Sequence, residues 1–336
     1  MSVASIDAAA ESAVRAALAG QAATRALADA VLEPVRGGLS NHGWKAEKGG
    51  RHWFVRLGGP ESATLGVDRK SERVLLGIAA AAGLAPGVLA CDPSNGLLIS
   101  QFIDGAVWRR EDARQARNIE RVADRLRVLH GLEAPAAVRI VDFAAQAHRL
   151  EAQLHALQEP HGSGSAAGNT AAGANGLAFD TGARIRHVAD AAFELLAARR
   201  PRLVLCHNDL HHLNLLDDGR RLWLVDWEYG GRGDPLLDLA SYACQHEFGP
   251  AERAALLDAY GAGGGVDSTA IDAAALEAAG PDTTAPHMAA LDAACTAFDY
   301  VQWLWYRLWS ARNPESGADY ASRARVIAVR LAAEGP

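Results

Sequence analysis

One stretch of this chain, RPRLVLCHNDLHHLNLLDDGRRLWLVDWEYGG from Arg200, constrains what it can be more than any other. It sets His207-x-Asp209-x4-Asn214 after the apolar β-type run Leu203–Cys206, turns at Asp217-Asp218-Gly219, and returns through a second run, Leu222–Val225, that delivers Asp226 at its end. Strand ends are rigid, so this layout aims two carboxylates and a carboxamide from fixed points. Asp and Asn most often serve turns. Here their order, and a β-run ahead of each half, make a chemical site the better reading. The oxygen donors suit a hard divalent cation, and Asp209 is left to take a proton. His211 and His212 lack a partner at metal-ligand spacing, and His207 reads as a structural buttress of the loop.

Phosphoryl transfer asks little more of a protein than this: a carboxylate to orient the attacking hydroxyl, and oxygen ligands to hold Mg²⁺ against nucleotide phosphates. Asp209 suits the first role and Asn214 and Asp226 the second, with the Asp-to-Asn spacing of the kinase motif set. At these residues the sequence resembles the aminoglycoside phosphotransferase and choline kinase superfamily, over most of residues 33–330. LVDWEYGG from Leu224 is similar to the signature of choline, ethanolamine and thiamine kinases, and GDPLLDLA from Gly233 to the segment following the family's metal site. The resemblance implies an α+β, bilobal, protein-kinase-like fold. Its small N-terminal antiparallel β lobe, residues 1–103, would bind nucleotide, and its larger, mainly helical C-terminal lobe, residues 104–336, would carry catalysis and the acceptor. It also implies ATP as co-substrate, Mg²⁺, and a small cationic alcohol of the choline, ethanolamine or thiamine type as acceptor. Two alternatives stay open: an aminoglycoside-type antibiotic phosphotransferase, and a noncatalytic nucleotide-binding regulator.

The same resemblance supplies further candidates. Gly37-Gly38-Leu39-Ser40-Asn41 looks like the family's phosphate loop, in which glycines let backbone N–H groups approach phosphate oxygens; Gly37, Gly38, Ser40 and Asn41 are its candidate contacts. Arg56, in FVRL, lies where relatives carry the basic residue that meets the phosphates, and Glu72 where a helix glutamate pairs with it. Gln101 and Ile103 look like the hinge whose main chain binds adenine. Further on, AFDYVQWLWYRLWSARN holds three of the eight tryptophans within seven residues. At 3.6 residues per turn Asp299, Trp303 and Tyr306 share a face. With Trp309 and Glu228 they form a candidate box for a cationic head group, aromatic faces and a carboxylate both attracting it. Core packing is the competing reading of such a stripe.

Coarse patterning gives an Ala-rich helix over residues 5–30, strands Gly43–Glu47 and His52–Leu57 around a Gly49-Gly50 turn, and a helix Ser71–Ala82. It continues with an apolar run Gly96–Ile103, helical sequence from Arg110 to Leu157, and helices Leu236–Gln245, Ala251–Tyr260 and Ala289–Ala311. The stretches 160–178 and 261–286 read as flexible insertions. A net charge of −7 opposes nucleic acid as a partner. The four cysteines form no CxxC pair and read as reduced thiols. With no basic, apolar leader and no long apolar run, a soluble cytoplasmic protein is expected.

Overall fold

The computed structural model describes residues 3–35, 41–58, 66–158, 175–262, 284–313 and 317–333. It divides into two compact units: Met1–Ile140, Leu203–Arg232 and Asp258–Val266 in the first, and Val141–Arg202, Gly233–Leu257 and Asp267–Pro336 in the second.

The first unit is built on an antiparallel sheet of β1 (Val31–Val35), β2 (Asn41–Lys48), β3 (Arg51–Gly58), β4 (Val88–Asp92) and β5 (Leu97–Gln101), in the order β1-β2-β3-β5-β4. The expected hairpin is there: Lys48 pairs with Arg51 across Gly49 and Gly50, both at positive φ, as a two-residue turn of matching twist demands. β1 is an addition to the expected elements. It carries Pro34, and it stands at the sheet edge, where a missing N–H is tolerated.

The helix expected over residues 5–30 is shorter. α1 (Val3–Gly20) ends at its glycine, and a 3-10 turn at Arg25–Leu27 follows. Val14 and Leu18 of α1 are fully buried in one cluster with Trp44, Val55 and Ile99 of the sheet. α2 (Arg69–Ala81) starts two residues before the expected Ser71, because Asp68 caps it by accepting from the Lys70 and Ser71 amides.

β6 (Ala106–Val107), β8 (Leu215–Asp217) and β9 (Leu222–Leu224) form a second small antiparallel sheet, while β7 (Val204–Cys206) packs against the helix Ala116–His130. The continuous helical sequence expected from Arg110 breaks into α3 (Arg110–Ala113), α4 (Ala116–His130) and α5 (Phe143–Gln158). Gly131 caps α4, and Pro135 soon after prevents its continuation.

The second unit is helical. It contains α5, α6 (Asn175–Arg199) and α7 (Pro235–Gln245); after α8 (Pro250–Gly261) come α9 (Thr284–Arg312) and α10 (Ala318–Ala333). α9 packs on α5, α6, α7 and α10. α6 begins at Asn175, inside the stretch expected to be an insertion, so residues 175–178 are helical; 159–174 and 263–283 lie outside the described residues. No described helix is long and apolar enough to cross a membrane.

Candidate active site

His207 leaves β7 fully buried, and both ring nitrogens are used. Nδ1 accepts from the Asp209 amide at 3.3 Å and Nε2 donates to the Val225 carbonyl at 2.9 Å, a neutral imidazole that ties the Asp209 loop to the strand carrying Asp226. Its ring also lies 4.6 Å from that of Trp227.

Asn214 completes the loop. Its side-chain amide nitrogen donates to the backbone carbonyl of Asp209 at 2.8 Å and to Oδ2 of that residue at 3.2 Å, while the Asn214 backbone carbonyl accepts from the Val225 amide at 3.0 Å. The nitrogen being committed, the amide oxygen is the atom able to hold a ligand. Burial pushes the Asp209 carboxyl up to about 6, with the Asn214 bond pulling the other way. A carboxylate with that value is a base matched to near-neutral operation.

Asp226 sits at φ +61° and Asn208 at φ +64°, left-handed conformations that Asp and Asn tolerate better than most residues. Such strain concentrates at functional sites. On Asp226 converges the best-buried ion-pair network of the unit. Arg56, on β3, donates through Nη1 to Asp226 Oδ1 at 3.0 Å and through Nη2 to Glu72 Oε1 at 2.6 Å. Arg69, at the start of α2, meets the other Glu72 oxygen at 2.8 Å and lies 3.1 Å from Glu228 Oε2. Burial alone would lower the Arg56 pKa; Glu72, Asp226 and Glu228 more than offset it and hold the guanidinium charged.

Enclosure, and after it the charge of Glu228, raises the Asp226 carboxyl above its ordinary range, with Arg56 opposing. Two guanidiniums, Arg56 and Arg69, pair with three carboxylates, Glu72, Asp226 and Glu228, and the charge of Asp209 also bears on Asp226, so acidic groups outnumber the cations here. With hard oxygen donors and no thiolate in the set, that imbalance fits a divalent cation such as Mg²⁺.

Several expected residues are placed differently. Glu228 was a candidate for the acceptor's cationic group, but it is 2% exposed and turned to Arg69 and Arg56. Asp299 is equally buried and paired with Arg330 at 2.5 Å, so its charge is compensated inside the second unit. Asp299, Trp303 and Tyr306 all turn toward α10: Asp299 to Arg330, Trp303 to a cavity it lines with Ala321 and Ala324, and Tyr306 to Tyr320. Trp303 lies under Arg307, 4.5 Å from guanidinium to ring, whereas Tyr306 packs with Trp305 and Tyr320.

The residues that sequence reasoning missed are Arg69 and Trp305. Trp305 stacks parallel on Trp309, centroids 5.5 Å apart, and both rings meet Tyr320. The i,i+4 spacing of the two tryptophans was the available signal. Of the glycine loop, Gly37, Gly38 and Ser40 lie outside the described residues, and Asn41 is the first residue of β2, paired with Gly58. The Gln101 amide is engaged with the Gly87 carbonyl at 2.7 Å, which leaves any hinge contact of Gln101 to its carbonyl; strand pairing ends there, before Ile103.

A family model described as phosphotransferase enzyme family matches residues 31–277. Protein LicA of Haemophilus influenzae is 53% identical over 36 residues, a match that spans 11% of this chain and only 14% of that relative. Among solved structures, a choline/ethanolamine kinase family protein from Mesorhizobium loti is similar with TM-score 0.65 and 26% identity, covering 97% of this chain and 96% of its own. Choline kinase LicA from Streptococcus pneumoniae gives TM-score 0.63 at 18% identity, with 91% and 94% covered. These likenesses bear out the kinase-like α+β fold.

Proposed function

This chain belongs to the phosphotransferase enzyme family, and we propose that it transfers the γ-phosphate of ATP to the hydroxyl of a small cationic alcohol of the choline, ethanolamine or thiamine type. The observation that carries the reading is the joining of Asp209, Asn214 and Asp226 through His207 and Val225 into one hydrogen-bonded unit, with Arg56 bonded to its far carboxylate. In this reading residues 1–103 serve the nucleotide and 104–336 the acceptor.

Asp209 accepts a hydrogen bond from the acceptor hydroxyl and takes its proton as the acceptor oxygen bonds to the γ-phosphorus and the bond from that phosphorus to the β–γ bridging oxygen breaks, releasing ADP. Asn214 keeps the carboxylate turned to its task. The Asn214 amide oxygen and the Asp226 carboxylate would hold Mg²⁺, which when bound neutralises charge on the phosphates. Arg56 supplies a guanidinium fork suited to phosphate oxygens, and Glu72 fixes its angle. Since Glu228 and Asp299 are compensated internally, aromatic faces rather than acids would take the acceptor's cation, and the Trp305–Trp309 stack with Tyr306 and Tyr320 offers them.

A coupled ADP-release assay with Mg·ATP against choline, ethanolamine, thiamine and aminoglycosides tests this. Turnover confined to one of the first three supports the proposal. Turnover on aminoglycosides alone would overturn the acceptor class, and nucleotide binding without turnover on any hydroxyl would overturn the activity.

A further inference from the structure

Resting on that reading, we propose that Arg69 is a positioning residue: by holding Glu228, it leaves Arg56 free to point at Asp226 and the phosphates. The geometry sets up a competition. Nη1 of Arg56 is 3.0 Å from Asp226 Oδ1 and 4.0 Å from Glu228 Oε2, so one NH₂ group faces two carboxylates. Both pulls are of similar size at such distances, and enclosure strengthens each. Arg69 decides the outcome, lying 3.1 Å from that same Glu228 oxygen. It also takes Glu72 Oε2 at 2.8 Å, leaving Oε1 to Arg56 at 2.6 Å, so Glu72 is shared without rivalry. Remove Arg69, and Glu228, 2% exposed, loses the guanidinium 3.1 Å away, so more of its pull falls on Arg56. Arg56 then swings from Asp226 toward Glu228, away from the phosphate position.

The Arg69 guanidinium lies in a slot made by two glycines. A Cβ on Gly58 would stand 2.9 Å from Arg69 Nη2, and one on Gly96 would stand 3.6 Å from its Nε. The Gly58 amide donates to the Gly96 carbonyl at 3.1 Å, which fixes the slot's walls. Gly58 is not at positive φ. The nearest atoms to an added methyl there belong to the far end of the flexible Arg69 side chain, so Gly58→Ala is expected to displace Arg69 at little cost to the fold.

The test compares wild type, Arg69→Gln, Arg69→Gln with Glu228→Gln, and Gly58→Ala. The readouts are KM for Mg·ATP and kcat on the accepted alcohol, together with the affinity of a fluorescent ATP analogue and the melting temperature. The expected pattern is a tenfold or greater rise in nucleotide KM and Kd for Arg69→Gln. At least half of that loss, on a logarithmic scale, should be recovered when the competing charge at Glu228 is removed. Gly58→Ala should weaken nucleotide binding in the same direction with no matching loss of melting temperature. A double variant no better than Arg69→Gln, or Gly58→Ala indistinguishable from wild type, overturns the proposal. Because affinity for the analogue is read without turnover, failure here is distinguishable from failure of the proposed activity.

Discussion

Asp209 is four-fifths buried, and the protein holds its carboxyl at about 6 against an ordinary 3.8. A folded-state pKa above the unfolded one means the protonated acid suits the fold: that stability is fully present below about pH 4 and is lost as pH rises through 6. At pH 7 the ionised base therefore burdens the structure. We expect Asp209→Asn to abolish turnover while raising stability near neutrality by about 1–2 kcal/mol, a figure discounted for partial exposure, with the gain vanishing below pH 4. Urea unfolding at pH 4 and pH 7 checks this, and a gain equal at both values would refute it. The same shift predicts that kcat/KM climbs with pH and levels off above about 6, as the base ionises.

What was legible at this scale was local. Asp209, Asn214 and Asp226 could be found because their spacing along the chain is itself the signal, and Arg56 and Glu72 because a resemblance pointed at them. Partners brought together by the fold left no such trace. Nothing in the sequence shows that Asp299 meets Arg330, thirty-one positions on, or that Arg69 spends its charge on Glu228.

Among the elements, α2 does most to shape the site, since Arg69 and Glu72 stand three positions apart at its start and so share one face. Its first turn depends on Asp68, which takes the Lys70 and Ser71 amides at 3.0 and 3.2 Å and the Ser71 hydroxyl at 2.8 Å. Asp68→Ala is expected to cost about 1 kcal/mol of stability and to raise nucleotide KM several-fold through fraying of that turn. Thermal unfolding beside steady-state kinetics separates the two effects. In α9 the rings sort by helical face: Trp303 goes with Arg307, and Trp305 with Trp309 and Tyr320. If the second face meets the acceptor, Trp305→Ala raises acceptor KM at least tenfold and changes KM for ATP little, whereas Trp303→Ala acts mainly on stability. Equal acceptor KM in both variants would contradict that division. The helical spacing that put Trp303 and Tyr306 on one side holds, since both meet α10, Trp303 beside Ala324 and Tyr306 against Tyr320.

For the whole molecule, the α+β class and the hairpin at Gly49-Gly50 could be read from patterning because each is set by short-range periodicity and turn chemistry. Element ends were harder. α1 stops at Gly20 where alanine-rich sequence alone would continue, and β1 exists because an edge position forgives Pro34. Membership of the phosphotransferase enzyme family accounts for why so much of the chemistry concentrates in a single strand-loop-strand stretch, Val204 to Glu228.

The central claim is that Asp209 is the base of a phosphoryl transfer built around Asn214, Asp226 and Arg56. Its most direct test follows the γ-phosphate of Mg·ATP by ³¹P NMR in the presence of the accepted alcohol, for wild type and Asp209→Asn at equal nucleotide saturation. The account predicts a phosphomonoester signal growing with wild type and a rate at least a thousandfold lower for the variant, with ATP affinity unchanged within about threefold. Ester formation by Asp209→Asn at a rate near that of wild type would contradict it.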